Sequence, residues 1–169
     1  MNEDLANGLG NLVSRTLGML ERYRGGIIPA PASSGSRESS ISEASCTLIE
    51  EVDGAMNEIA FHKALAAIWE FIALMNKYVD DEAPWTLAKE KNDERLDTVL
   101  WTISRSIGVV SILITPFMPA SAEEIWRRLG STKPFSSLRL ADAGDPELIR
   151  PGQTTSKGAS LFPRYEEKS

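Results

Sequence analysis

The stretch from Asp4 to Tyr23 restricts the fold of this chain more than any other. Wound at about 100° per residue, the turn of an α-helix, its side chains separate into two faces. Leu5, Leu9, Leu12, Val13, Thr16, Leu17 and Leu20 fall on one side, broad enough to be a core face. Asn11, Arg15 and Arg22 lie on the opposite side, within roughly 40° of each other by the same rotation. Gly8 and Gly18 flank that stripe, where a larger side chain would hold a ligand away. Solvated helix faces usually mix Glu, Lys and Ala. An amide, two guanidiniums and bare backbone suit a planar, hydrogen-bonding partner, although the stripe also reads as a plain polar face.

Such a helix needs others to cover its leucines, and the rest of the chain supplies them. Gly25-Gly26 end it. Ile27 to Ser40, with Pro29, Pro31 and a serine run, reads as a loop. From about Ser42, Leu48, Val52, Ala55, Met56 and Ile59 recur at helical spacing, with a break expected near Asn57–Ala60. A helix from Phe61 to about Tyr78 follows, its apolar stripe Ala64, Leu65, Ile68, Trp69, Ile72 and Met75. Asp80, Asp81 and Glu82 suit a helix C-terminus poorly, so a turn at Ala83-Pro84 is expected directly after them. Pro84 fits the first position of a short helix carrying Trp85 to Lys89. Asn92 or Asp93 can cap the next, with Leu96, Val99, Leu100, Ile103, Ile107, Val110 and Leu113 inward and Pro116 as its stop. A last helix is expected over Ala120 to Leu129, ending at Gly130. Residues 131–158 read as loop, and Ser160 to Arg164 as a tail apolar enough to pack back. The fold expected is an all-α bundle of about five helices in a single domain, 1–130 the bundle and 131–169 an irregular tail.

Composition narrows the function. The chain has 169 residues, 24 acidic against 18 basic, for a net charge of −6. That argues against non-specific coating of nucleic acid, which needs a basic surface, but not against reading a few exposed bases. One cysteine, Cys46, allows no internal disulfide, so a reducing, cytoplasmic setting is expected. No run approaches the ~18 apolar residues of a membrane helix. Met1 is followed at once by Asn2, Glu3 and Asp4, so no signal peptide is expected, and a helix starting so early looks cut from a longer chain. His62 stands alone as a histidine, with no second ligand at metal-binding spacing. Nothing near Cys46 would activate it. Asp80-Asp81-Glu82 reads as an exposed acidic helix end rather than a cation site, and the glycines form no phosphate loop.

Trp85 changes this picture. It follows Pro84 in a turn beside acidic, solvated sequence, an odd place for a core tryptophan. Trp69, Trp101 and Trp126 sit among apolar residues in helical stretches, where core packing or partial burial accounts for them. A tryptophan fixed by proline is a rigid plane, and unpaired bases stack on such planes. Selectivity must then come from base edges. Asn11 presents an acceptor and a donor, Arg15 only donors. A cytosine edge, with an amino donor at N4 and acceptors at N3 and O2, matches that pair; a uracil edge leaves polar groups unpaired. On the residues alone three classes stay open: RNA recognition, a protein-interaction bundle, and a free-standing enzyme, the last without any paired catalytic groups.

DLANGLGNLVSRTLGML at 4–20, FHKALAAIWEFIALMNKYVDDEAPWTLAK at 61–89, SILITPFMPASAEEIWRRLG at 111–130 and LFPR at 161–164 resemble, in order, the C-terminal anticodon-binding domain of bacterial methionyl-tRNA synthetase. The resemblance spans nearly the whole chain. It implies the helical bundle of a class I aminoacyl-tRNA synthetase that reads the CAU anticodon of methionine tRNAs. By position, Asn11 and Arg15 would contact the first anticodon base and Trp85, set by Pro84, would stack on it. Arg22 would reach neighbouring bases, and Asp80 would stand near the anticodon and repel wrong ones. The HIGH-type and KMSKS-type segments that bind ATP in this family are absent from the 169 residues, as is a zinc-knuckle cysteine set. The resemblance thus implies no cofactor here. ATP and Mg²⁺ would serve the catalytic domain of the same polypeptide, with methionine tRNA as the shared partner.

Overall fold

The computed structural model describes residues 5–163, with side chains from Asn7 onward. Among them the architecture is all-α. A π-helical turn, Leu5–Gly10, leads into α1, Asn11–Arg24. Then come α2, Ser36–Asn57, and α3, Phe61–Glu82. The short α4, Pro84–Lys89, precedes α5, Asp93–Leu113, and α6, Pro119–Arg128. Asp4, at the start of the expected first helix, lies outside the described residues.

The leucine face behaves as its spacing requires: Leu9, Leu12, Val13, Thr16, Leu17 and Leu20 are all buried. The π turn was not expected. Asn7, Gly8 and Gly10 are poor helix formers, and the Gly8 carbonyl accepts from Asn76 Nδ2 at 3.1 Å. The glycines of the polar stripe do not clear room for a ligand. A Cβ on Gly8 would touch Ile72 Cγ2 of α3 at 3.6 Å, and one on Gly18 would touch Lys157 at 3.7 Å.

Three boundaries differ from the pattern. The second helix starts at Ser36 rather than near Ser42, because extended Gly35 donates its N–H to the Glu38 carboxylate at 2.8 Å and caps it. The third runs one turn further, to Glu82. Its acidic end is neutralised by Arg37, which bonds Asp81 at 2.9 Å and Glu82 at 2.6 Å, and by Lys77, 2.7 Å from Asp81. Ile59, expected on an apolar stripe, is 74 % exposed at φ 58, because the helix has already ended at Asn57.

Asn92 caps α5, its side chain accepting from the Arg95 N–H. This helix is the centre of the bundle, packed by α1, α2, α3, α4 and α6. By length and hydropathy it could cross a membrane, yet most of it is buried inside the protein. Its buried hydroxyls at Thr102, Ser104 and Ser106 each donate to the carbonyl four residues back, so none is stranded. Residues 131–163 hold more order than loop composition suggests. Two 3₁₀ turns, Phe135–Ser137 and Leu140–Gly144, bring Ala143, Leu148 and Ile149 into the core. The chain then laces back. Thr155 N–H donates to the Gly26 carbonyl at 2.7 Å, Gln153 Nε2 to Leu129 O at 2.8 Å, and buried Arg128 to the carbonyls of Lys157 and Ala159. Leu161 and Phe162 are half-buried against the bundle; Arg164 lies outside the described residues.

Candidate nucleic-acid interface

The last turn of α3 and the first of α4 form a fixed corner. Glu38, on the first turn of α2, accepts from Arg95 Nη2 at 2.9 Å, Arg95 Nη1 at 3.1 Å and Tyr78 Oη at 2.6 Å. Arg95 also binds Glu82 at 3.0 Å through Nε. Burial alone would raise the Glu38 carboxyl. The Arg95 guanidinium, the Tyr78 hydroxyl and the Gly35 N–H outweigh it and hold that carboxyl at about 2, against an ordinary 4.5. Burial and the Glu38 charge push the Tyr78 phenol upward, while hydrogen bonding to Glu38 and Glu82 raises Arg95. Glu82 is therefore nearly enclosed, its side chain 10 % exposed. The sequence reading of an exposed acidic end holds for Asp80 and Asp81 but not for Glu82.

Ala83 follows Glu82 at φ 44, ψ 66, a left-handed conformation that stops α3 and redirects the chain. Pro84 then opens α4 and is itself buried. This corner leaves Trp85 43 % exposed. Across from it, α1 presents Asn11, exposed, and Arg15, half-buried. The Arg15 guanidinium lies 5.7 Å from the centre of the Trp85 ring and donates to Asp80 Oδ1 at 2.7 Å. Arg15 thus joins Asp80 to Trp85, which Pro84 sets, although they are far apart in the chain, and Asn11 shares a hollow with Arg15 and Asp80. Arg22 does not join them. It lies seven residues past Arg15, roughly 10 Å along the helix, and its guanidinium rests 5.7 Å over the ring of Tyr23.

A hollow of about 660 Å³ opens between α1 and α3, beside Arg15. Asn11, Arg15 and Asp80 line it, and so do Trp69, Asn76 and Lys77, which the sequence reading left among packing residues or passed over. Trp69, read as core packing or partial burial, is half-buried: it packs against the core and also lines the hollow. The signal lay in the spacing: Trp69, Ala73, Asn76 and Asp80 share one stripe of α3 at three- and four-residue intervals. His62 and Cys46 are exposed, and neither touches this region. The described residues gather no set of three or more His, Cys, Asp or Glu able to hold a metal ion.

Comparison with known proteins places this geometry. A family model described as the anticodon-binding domain of tRNA ligase matches residues 41–157. The methionine–tRNA ligase of Caldanaerobacter subterraneus is 36 % identical over 98 % of this chain and 26 % of its own length. That of Deinococcus radiodurans is 38 % identical over 100 % of this chain and 24 % of its own length. The chain thus spans about a quarter of the curated relatives it matches. Among solved structures, the ligand-free methionyl-tRNA synthetase of Mycobacterium tuberculosis superposes with a TM-score of 0.90 at 32 % identity, covering 99 % of this chain and 34 % of that one. The chain belongs to the family of anticodon-binding domains of tRNA ligases.

Proposed function

We propose that this chain is the anticodon-reading part of a methionine–tRNA ligase, and that Asn11, Arg15 and Trp85 read the first anticodon base, a cytosine. The observation that carries the proposal is the Arg15 guanidinium of α1 lying 5.7 Å from the centre of the exposed Trp85 indole of α4, with Asn11 one turn before Arg15 on the same helix. The indole supplies a stacking plane with little preference among bases. Asn11 accepts from the cytosine amino group, and Arg15 donates to N3 and O2. Uracil at the same place would set donor against donor, a mismatch of about 1–3 kcal/mol when desolvated. Asp80 acts on the base through Arg15, fixing the direction of the guanidinium. Arg22, held on Tyr23, is left for the neighbouring bases or their phosphates.

In this reading the remaining three quarters of the ligase carry the amino-acid activation. ATP and Mg²⁺ would serve that part. The catalytic domain of the same polypeptide and methionine tRNA are the partners, in a cytoplasmic setting.

The test compares two anticodon stem-loops, CAU and UAU, with wild type and the Asn11→Ala, Arg15→Ala double variant at two salt concentrations. Wild type should prefer CAU by about 1–3 kcal/mol, and the double variant should bind both alike. A phosphate contact behaves otherwise: both RNAs weaken together, the preference survives and the salt slope flattens. Persistence of the full cytosine preference in the double variant refutes the base-reading roles. A protein-interaction bundle would bind neither stem-loop.

A further inference from the structure

Arg15, Arg24, Arg95 and Arg128 are buried or half-buried, and each is paired with a carboxylate. Arg105 of α5 is half-buried as well, yet among the described residues it forms no ion pair. Its Nη1 donates to the Asp145 carbonyl at 3.0 Å, and the rest of its donor fork is unused. Burial disfavours its charge and lowers its pKa. The Asp145 carboxylate, turned to Lys133 at 3.2 Å and to the Glu147 N–H at 2.8 Å, offsets only part of this. Arg105 thus stands where the other arginines of similar burial have a counter-ion.

The same arginine lines a cleft of about 180 Å³. To that cleft α2 contributes Ser42, Ser45 and Cys46, at three- and four-residue spacing, and α5 contributes Trp101 and Arg105, one turn apart. Gly144 lines it too, beside the Asp145 carbonyl that holds Arg105. Ser39 and Ser40, earlier in α2, donate to carbonyls four residues back, whereas the Ser42 and Ser45 hydroxyls make no hydrogen bond among the described residues. Glu38 also lines the cleft, but its charge is taken by Arg95 at 2.9 and 3.1 Å. The volume falls below the roughly 300–1,000 Å³ of cofactor-sized sites, so the cleft suits a small ion or one group of a larger molecule. A guanidinium fork with two hydroxyls outnumbers the oxygens of a carboxylate and matches those of a phosphate. We propose that this cleft is an oxyanion site in which Arg105, Ser42 and Ser45 hold a phosphate group. It shares no residue with the reading face and does not depend on the anticodon reading.

Cys46 is the only cysteine of the chain and lines the same cleft, so its alkylation reports whether the cleft is filled. Wild type and Arg105→Gln are treated with iodoacetamide at fixed pH and ionic strength, with inorganic phosphate titrated against chloride. Phosphate at about ten times its dissociation constant should slow wild-type alkylation about ten-fold, because only the empty cleft reacts. Arg105→Gln should react at one rate throughout, and the Ser42→Ala, Ser45→Ala double variant should need several-fold more phosphate. A wild-type rate that phosphate leaves unchanged, or slowing that survives in Arg105→Gln, overturns the proposal. The CAU stem-loop in place of phosphate separates two sources of the group. Slowing by the stem-loop that Arg105→Gln abolishes assigns the phosphate to RNA; slowing by inorganic phosphate alone assigns it to a small ion or ester. If Arg105→Gln does not fold, Ser45→Asp takes its place, since a carboxylate there supplies the missing counter-ion and bars the phosphate. Slowing that persists undiminished in Ser45→Asp refutes the site.

Discussion

The Glu38→Gln substitution probes the corner that aims Trp85. Lowering a carboxyl from 4.5 to about 2 corresponds to about 3 kcal/mol of stability at neutral pH. The Glu38 side chain is only 5 % exposed, so solvent screens little of this. Glutamine keeps one acceptor oxygen for Arg95 or Tyr78 but loses the charge and the second oxygen. Arg95 is not left stranded, since Glu82 stays 2.7 Å away and the guanidinium is 28 % exposed. The loss should thus be about 2–3 kcal/mol, below the 3–5 kcal/mol of a buried ion deprived of every partner. For a chain of this size that is a fall of roughly 5–10 °C in melting midpoint.

The pH dependence gives the sharper reading. A carboxyl whose folded pKa is depressed contributes its stability fully above the unfolded value, near 4.5, and loses it as pH falls through about 2. Thermal melts followed by circular dichroism between pH 7 and pH 2 should show the widest gap between wild type and Glu38→Gln above pH 5, closing as the acid titrates Glu38. Glu124 is also lowered to about 2, by Arg127 and then Arg128. Its side chain is a third exposed, its own contribution is small, and it titrates alike in both proteins. A constant gap down to pH 2, or no gap at neutral pH, refutes the charge-assisted clamp.

Trp85→Ala should cost about 1–3 kcal/mol of stem-loop binding with almost no change in melting midpoint, because the ring is exposed; a collapse of the midpoint would make it a core residue. Asp80→Asn should leave stability nearly unchanged, as its ion pair with Arg15 is largely solvated, while narrowing the cytosine preference by about 1 kcal/mol as the guanidinium loses its direction. Unaltered cytosine binding with gained affinity for other anticodons would instead assign Asp80 to repulsion. Gly130→Ala should lose about 2–4 kcal/mol in urea melts, since the residue sits at φ 73 and a Cβ would stand 2.0 Å from the Thr154 carbonyl oxygen; a loss under about 1 kcal/mol would mean the returning strap yields freely.

What could be read in advance followed periodicity. The leucine stripe of α1 and the apolar repeat of α5 have one solution each, burial, because both repeats are long and unbroken. Trp85 was legible for a different reason: proline fixes the backbone before it, and no apolar neighbour explains an indole there. Long-range polar contacts carry no such local signature. Nothing near Glu38 in sequence announces that Arg95, 57 residues away, will take its carboxylate, so the early start of α2 was read as loop. The same holds for Arg15 and Asp80, 65 residues apart. Trp69 satisfies the packing pattern at partial burial, and nothing in that pattern says that it also lines the hollow. Residues 131–158 were under-read because their order comes from carbonyls and single apolar anchors such as Ile149, not from any repeat.

These long-range contacts are also what make the reading face rigid. Arg37 and Arg95 hold Glu82 from two sides, so the last turn of α3 cannot fray. That fixes Ala83 in its left-handed turn, and buried Pro84 passes the constraint directly to Trp85. The opposite half of the face belongs to α1, whose position is set by an unbroken leucine core. Arg15 joins the halves, bound to Asp80 one turn before the corner and lying over the indole just after it. Under the proposed reading, a base stacked on Trp85 would meet an Arg15 already oriented by Asp80, so few side chains would be left to order. A wrong base finds the same plane and the same stacking. Under the proposed reading its rejection would rest on the edge hydrogen bonds that Arg15, oriented by Asp80, could no longer make, each costing its desolvation penalty.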